Sequence, residues 1–224
     1  MQQLLAGYAR FKSQVFAQHS RQFAELTYTQ EPQALFITCS DSRVMPEMMM
    51  QCVPGQIVSC RNAGNLVPPP EEVTSGVAAT VEDAVQVLRV PDIILCGHSD
   101  CCAMRALLDE GRLKDLPLVR SWLCYAGPMA RAFRGVMQDP RVWPMEERLS
   151  ALTELNVLAQ LQSLRSHPSV ARSLRRGSLR IHGWVYDIPT GEIRCLDEHT
   201  GSFRPLLPKA PSEAESPFEV EMVA

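Results

Sequence analysis

Ala34-Leu35-Phe36-Ile37-Thr38-Cys39-Ser40-Asp41-Ser42-Arg43 joins an apolar run to a polar one, and Asp92-Ile93-Ile94-Leu95-Cys96-Gly97-His98-Ser99-Asp100-Cys101-Cys102 repeats the pattern later in the chain. Each apolar run is short and rich in aliphatic residues, which is typical of a strand buried on both faces. The carboxyl ends of parallel strands meet at one edge of a sheet, where functional groups collect. We therefore expect the two polar stretches to lie side by side.

The elements around these two runs alternate between strand and helix. The sequence predicts strands at 34–38, 56–60 and 92–96, and helical segments at 46–51, 75–89, from Ser99 onward and at 146–165. Such alternation is typical of an α/β fold with a mostly parallel central sheet and helices on both faces. Residues 179–187 and 193–196, separated by a Pro-Thr-Gly turn, predict a hairpin that adds an antiparallel strand at one edge.

A long amphipathic helix is predicted over about residues 2–26, before the first strand. Its apolar residues recur with helical spacing: Leu4, Leu5, Tyr8, Phe11, Val15, Phe16 and Phe23. A helix of this length outside the sheet has an apolar face to cover, and we expect a partner subunit to cover it. Residues 1–207 are assigned to one domain, and 208–224, rich in Pro, Ser and Glu, to a mobile C-terminal tail.

Composition narrows the class of protein. The 224 residues are 46% hydrophobic and carry a formal net charge of −3, which gives no electrostatic reason to expect nucleic acid or an anionic membrane as a partner. The sequence has no apolar run of membrane-spanning length, and its first residues lack a signal-peptide pattern, so a cytoplasmic location is expected. In that reducing compartment the eight cysteines are expected to be buried residues or metal ligands instead of disulfides.

A zinc site is predicted where the two polar stretches meet. Cys39, His98 and Cys101 offer thiolate, imidazole and thiolate, the ligands that zinc prefers. Cys102 lies one residue further along and is an alternative to Cys101, because positions three and four along a helix share a face. We favour Cys101 as the ligand and Cys102 as a pocket residue. Three ligands leave a coordination position open, which is typical of catalytic zinc.

Asp41 and Arg43 lie two and four residues after the first ligand. Arg43 can hold the Asp41 carboxylate by charge-assisted hydrogen bonds, so that Asp41 orients a zinc-bound hydroxide. Two thiolates neutralise the charge of Zn²⁺, and water on such a site is acidified less than on a site with three histidines. We therefore expect better activity at mildly alkaline pH.

Four motifs resemble those of the β-class carbonic anhydrases, and most closely their cyanate-associated bacterial and cyanobacterial branch. They are Cys39-Ser-Asp-Ser-Arg43, Arg61-Asn-Ala-Gly-Asn65, Gly97-His-Ser-Asp-Cys101 and His182-Gly-Trp-Val-Tyr-Asp187. The resemblance covers residues 2 to 207. It implies reversible hydration of CO₂ to bicarbonate by zinc held on Cys39, His98 and Cys101, with Asp41 and Arg43 as a catalytic pair. It also implies a homodimer, or a tetramer or octamer built from dimers, with the site near the subunit interface.

The substrate pocket implied by the resemblance departs from the family pattern. Gln30 and Ala63 match pocket positions, whereas Val58 and Asp83 stand where relatives have aromatic residues, and Cys102 stands where they have glycine. CO₂ is small and apolar, and it is held by shape and apolar contact. A carboxylate in place of an aromatic ring can wet the pocket and disfavour a nearby hydroxide by like-charge repulsion.

Two alternative functions follow from those three departures. One is a zinc-binding homologue with a degenerate pocket and little hydratase activity, which has a structural or regulatory role. The other is an enzyme that acts on another small molecule similar to CO₂. Both alternatives keep the predicted zinc ligands and differ from carbonic anhydrase only in the reaction that the substrate pocket supports.

Overall fold

Six strands form one mixed sheet in the computed structural model, which describes residues 1–70, 75–137 and 142–206. The strands are β1 (Ala34–Cys39), β2 (Ile57–Asn62), β3 (Asp92–His98), β4 (Arg180–Tyr186), β5 (Ile193–Asp197) and β6 (Ser202–Pro205). They are arranged in the order β2-β1-β3-β4-β5-β6. The first four strands of this order are parallel, and β5 and β6 continue the sheet in antiparallel fashion.

Helices follow the strands in the chain and lie around the sheet. The α-helices are α1 (Gln2–Arg10), α2 (Phe16–Gln18), α3 (Ser20–Leu26), α4 (Pro46–Met49), α5 (Gly76–Gln86), α6 (Cys102–Leu108), α7 (Pro117–Leu123), α8 (Gly127–Val136), α9 (Met145–Ser166) and α10 (Pro168–Arg175). A π-helical turn, Phe11–Val15, joins α1 to α2. In the part of the chain that the structure describes, none of these helices has the length and apolar character needed to cross a membrane.

The sheet and α9 pack so closely that a side chain at either of two strand glycines would press against α9. A Cβ atom at Gly97 in β3 would lie 3.0 Å from side-chain atoms of both Thr153 and Val157 in α9, and one at Gly183 in β4 would lie 2.7 Å from Cδ1 of Leu161. Buried residues of α9, of α5 and of the central strands form one apolar cluster on this side of the sheet. The two glycines therefore allow α9 to lie close to the sheet near the carboxyl end of β3. The predicted site lies at that end.

The N-terminal segment contacts the rest of its own chain near its carboxyl end. Gln22 donates a hydrogen bond to the Pro54 carbonyl (3.2 Å), and Leu26 packs against Gly55. From Gln2 to Leu26, none of the helical residues is buried. The predicted helical segment is therefore present, but a π-helical turn at Phe11–Val15 and a non-helical residue at His19 divide it, and most of its apolar residues are exposed in a single chain.

The predicted fold class is confirmed, with three differences of detail. β6 was not predicted, because Ser202–Pro205 is short and polar and lacks a clear alternation of apolar residues. Helix α6 begins after Cys101, which stands at its N-cap, instead of opening at Ser99. The first two residues of the predicted 61–65 loop complete β2. The proposed tail, 208–224, lies outside the described residues.

Candidate metal centre

Three potential zinc ligands meet at the carboxyl edge of the sheet. Cys39 is the last residue of β1 and His98 the last residue of the adjacent β3, and Cys101 stands directly before α6. Their ligand atoms all lie within 4.8 Å of one another, and all three residues are buried. The parallel register of β1 and β3 causes this meeting, since both strands end at the same edge.

The geometry of these atoms fits a zinc ion. The sulfur atoms of Cys39 and Cys101 are 3.9 Å apart, and two sulfurs on one tetrahedral zinc at about 2.3 Å lie about 3.8 Å from each other. Nε2 of His98 is buried with no hydrogen-bond partner in the described part of the chain. Nδ1 lies 2.8 Å from the Ser99 carbonyl oxygen, which accepts its hydrogen bond, so Nε2 carries the free lone pair within 4.8 Å of the two sulfurs. A buried imidazole nitrogen without a partner is costly, and a metal ion would satisfy it.

The two thiols affect each other's ionisation. The hydrogen bond from the Cys101 thiol holds the pKa of Cys39 below its ordinary value, and the neighbouring His98 ring and the Gly64 N–H act in the same direction. The same bond between the thiols, together with burial, raises the pKa of Cys101. Zinc binds thiolates, so metal binding at this pair releases the shared proton.

The loop after β2 closes over Cys39 and is held in place by polar groups on distant helices. The N–H of Gly64 approaches the Cys39 sulfur at 3.4 Å. Gly64 has φ +78°, and a Cβ there would lie 3.1 Å from Cβ of Ala103, so both conformation and space require glycine. Asn156 of α9 donates to the Gly64 carbonyl (3.0 Å), and the Trp122 indole donates to the Ala63 carbonyl (2.8 Å).

Asp41 and Arg43 form a bidentate ion pair beside the ligands. Nε and Nη2 of Arg43 donate to Oδ1 and Oδ2 of Asp41 at 2.9 and 2.8 Å. This pairing, more than any other contact, holds the pKa of Asp41 well below its usual range, so the carboxylate is ionised. Oδ2 of Asp41 lies 3.9 Å from Nε2 of His98. Arg61 fixes the loop by donating to the carbonyls of Asp41 (2.7 Å) and Cys39 (3.2 Å).

Cys39, one of the three potential ligands, lines an open cavity of about 530 Å³. It is lined by Cys39, Ser40, Asp41, Ser42, Arg43, Ala63, Asp100, Cys102 and Ala103. Ala63 and Cys102, two of the predicted substrate-binding residues, therefore face the site. Cys102 is exposed and lies outside the group of three ligands, whereas Cys101 is buried within it.

The other three predicted pocket residues lie elsewhere in the chain. Gln30 is exposed in the segment between α3 and β1. Val58 is half-buried in β2, where it packs against the main core cluster, and Asp83 is exposed on α5. None of the three lines the cavity that contains Cys39. Within a single chain the structure does not bring them to the metal centre, and their contact with substrate stays a prediction.

Two site residues were not identified from sequence. Asp100 and Arg105 form an ion pair at the start of α6, and Asp100 also contacts Arg43. Their separation of five residues matches no helical pair spacing, and Asp100 lies before the first turn of the helix, so the linear pattern carries no signal for this contact. Arg61 belongs to a motif quoted above, but its hydrogen bonds to two loop carbonyls depend on the three-dimensional fold.

Comparison with known proteins agrees with this geometry. Residues 34–193 match a family model described as carbonic anhydrase. The chain is 47% identical over 197 residues to a carbonic anhydrase of Pseudomonas aeruginosa, with 88% of each chain covered. Its structure aligns with the β-carbonic anhydrase CcaA at a TM-score of 0.86 and 36% identity, covering 92% of this chain and 98% of that one.

A second solved structure comes from work on two tetrameric β-carbonic anhydrases of Sordaria macrospora. It aligns at a TM-score of 0.77 and 28% identity, over 91% of this chain and 98% of that one. The family match therefore spans the strands that carry the metal ligands, and the structural match spans most of the described fold. The chain belongs to the β-carbonic anhydrase family.

Proposed function

We propose that this chain catalyses the reversible hydration of CO₂ to bicarbonate, and that Cys39, His98 and Cys101 hold the zinc ion required for it. The observation that carries the proposal is the buried Nε2 of His98, which has no partner in the described residues and lies beside two sulfur atoms 3.9 Å apart. Membership of the β-carbonic anhydrase family supports the same reaction. When bound, zinc acidifies a water molecule and so supplies the hydroxide that attacks CO₂.

The residues beside the ligands have complementary roles in this proposal. Asp41 is ionised and accepts hydrogen bonds only, so its Oδ2 can orient the attacking oxygen by accepting a hydrogen bond from it. Arg43 restrains the carboxylate through two hydrogen bonds and balances its charge. Ala63 and Cys102 offer small, weakly polar surfaces on the cavity wall, which suits a small apolar substrate.

Zinc content and hydration rate, measured on one preparation, test the proposal. We expect one zinc per chain, and CO₂ hydration by stopped flow that rises between about pH 7 and about pH 9, because two thiolates reduce the acidifying power of the metal. Cys39→Ser should lose most of the zinc and the activity. Cys124→Ser, a change at an exposed cysteine outside the metal group, is the matched control and should retain both. Wild-type protein that binds zinc but does not hydrate CO₂ would contradict the proposed reaction.

The alternative functions raised by Val58, Asp83 and Cys102 are not favoured, because the matching family and the reported relative are named carbonic anhydrase. The three departures remain relevant to the rate. Only Cys102 lines the cavity within one chain, and its side chain is exposed there. The Cys102 side chain narrows the approach to the site more than a glycine at that position would.

A homodimer or a larger homo-oligomer is proposed as the assembly. The support is the N-terminal segment, which carries strongly exposed apolar side chains in a single chain, with Leu4 73% and Tyr8 61% exposed. β2 is also an edge strand, and its outer backbone groups are free to pair with another chain. Gln30, Val58 and Asp83 are proposed to contact substrate in the site of a partner, since they do not line their own cavity.

A cytoplasmic location is proposed on chemical grounds. All eight cysteines are free thiols in the structure, which is the usual state in a reducing compartment. The zinc site itself requires two of them as thiolates, and disulfide formation between them would destroy it. The proposal is consistent with a net charge of −3, which offers no attraction to nucleic acid or an anionic membrane.

A further inference from the structure

We propose that Asp100 and Arg105 are positioning residues that hold Arg43, and through it Asp41, in the ion-paired position beside the three metal ligands. This inference rests on the proposed function, because it assigns a control element to the same site. Asp41 follows β1, whereas Asp100 and Arg105 follow β3, so the pair connects the two halves of the metal centre.

Arg43 is shared between two carboxylates. Its Nε and one side of its Nη2 face Asp41, while Nη1 donates to Oδ2 of Asp100 at 3.2 Å and Nη2 also donates to the Asp100 carbonyl at 3.2 Å. A guanidinium group is planar, and contacts on two of its edges fix its orientation better than contacts on one. Asp100 therefore sets the direction from which Arg43 meets Asp41.

The backbone at Asp100 makes this double contact possible. Its φ is +54°, in the left-handed region, where aspartate and asparagine are better tolerated than most other residues. The carboxylate and the carbonyl of this one residue both reach Arg43. Arg105 on α6 donates to the other carboxylate oxygen of Asp100, and this second ion pair holds the side chain toward Arg43.

The contacts of Asp100 and Arg105 decide whether the Asp41 carboxylate stays paired with Arg43 or moves to the metal. Oδ2 of Asp41 is only 3.9 Å from Nε2 of His98. The Asp41 carboxylate is held there by the hydrogen bonds that Nε and Nη2 of Arg43 donate to Oδ1 and Oδ2. If Arg43 released it, the carboxylate at this distance would offer a further oxygen ligand to a zinc ion held by the three residues. Asp100 and Arg105 keep Asp41 as a hydrogen-bond acceptor beside the metal and oppose its becoming a ligand.

Zinc release tests this role without relying on turnover. Asp100→Asn keeps the size and backbone preference of the side chain but removes its charge, and Arg105→Gln removes the second ion pair. Each change should slow zinc transfer to an excess of chelator by about two- to fivefold, since exposed ion pairs contribute modestly and an added ligand retards release. Cobalt(II) substitution supplies a second readout, because visible absorption changes when a carboxylate joins the metal.

Two comparisons make the test specific. Glu198→Gln removes an equally exposed ion pair, Arg165–Glu198, outside the site and should leave release unchanged. In a variant that combines Asp41→Asn with Asp100→Asn, release should equal that of Asp41→Asn alone, because the effect requires the Asp41 carboxylate.

Unchanged or faster release in both Asp100→Asn and Arg105→Gln would overturn the inference, as would slowing that persists without the Asp41 carboxylate. These results leave the proposed function intact if the wild type binds zinc and hydrates CO₂. Wild-type protein that takes up no zinc would instead overturn the proposed function, and this inference with it.

Discussion

Asp92, at the first position of β3, shows how one side chain joins neighbouring strands. Its carboxylate accepts two hydrogen bonds from Arg180 in β4, at 2.8 and 2.7 Å, and lies 2.8 Å from Nε2 of His182. Arg180 first, and then His182, hold the pKa of Asp92 below its ordinary value. A lowered pKa in the folded state means that the stabilisation is present above the ordinary carboxyl pKa of about 3.9 and is lost as pH falls through the lowered value.

We therefore expect Asp92→Asn to lower the free energy of unfolding by about 0.5–1 kcal/mol at about pH 7, a modest amount because Arg180 is largely exposed. The difference from wild type should shrink toward zero as the pH is lowered below about 3.9. Urea unfolding at one protein concentration and a series of pH values measures it. Asp115→Asn, at an exposed aspartate without an ion pair in the described residues, should differ little from wild type at any pH. If the loss of unfolding free energy in Asp92→Asn were independent of pH, the stabilisation would not come from the ionised Asp92 carboxylate.

Individual residues also show how much of the site the sequence could predict. Cys39, His98 and Cys101 were predicted as ligands because each directly follows an apolar run, and parallel strands place such positions at one edge. The exclusion of Gln30, Val58 and Asp83 from the cavity of their own chain could not be predicted, since a resemblance assigns residues to a pocket without saying which subunit supplies them. The ion pair between Asp100 and Arg105 depends on where α6 begins, which the sequence predicted two to three residues too early.

At the scale of elements, helix α9 packs against the part of the sheet that carries the metal ligands. It packs on β3 and β4 where those strands have glycine, and its Asn156 holds the loop over Cys39.

Gly183→Ala should lower the free energy of unfolding by about 1–3 kcal/mol, because a Cβ at 2.7 Å from Cδ1 of the buried Leu161 overpacks the interface. Thermal or urea unfolding measures the change. Gly135→Ala, in a helix and with no atom within 4 Å of the added carbon, should instead stabilise by up to about 1 kcal/mol.

Elements differ in how well their sequences predict them. The strands of the parallel sheet are continuous apolar runs, and α9 has 22 residues with strong helical periodicity, so both were predicted with boundaries close to those observed. β6 has only four residues and is held by pairing with β5, a contact between segments that propensity does not encode. A short strand such as β6, which is stabilised by pairing with its neighbour, is therefore not predicted by its own residue pattern.

At the scale of the whole molecule, two observations support a homo-oligomer: the exposed apolar face of the N-terminal helices, and the position of three predicted substrate-binding residues away from the cavity. The N-terminal helices present exposed apolar side chains, and Gln22 and Leu26 near their carboxyl end contact the rest of the chain. Three predicted substrate contacts lie away from the cavity that holds their own zinc ligands. A partner subunit that covers the helices and brings those contacts to the cavity would account for both observations, whereas a monomer leaves each unexplained.

This assembly makes a prediction that separates metal binding from catalysis. A variant with Leu4→Glu and Tyr8→Glu places two carboxylates on the exposed apolar face and should reduce the mass measured by light scattering, because charge on an apolar interface disfavours association. The variant should still bind zinc, since Cys39, His98 and Cys101 belong to one chain, but its CO₂ hydration should fall with the share of assembled molecules. Leu118→Glu, at a residue 84% exposed on α7, should leave mass and activity unchanged. Full activity at the reduced mass would show that one chain completes its own pocket, and the substrate contacts of Gln30, Val58 and Asp83 would then be wrong.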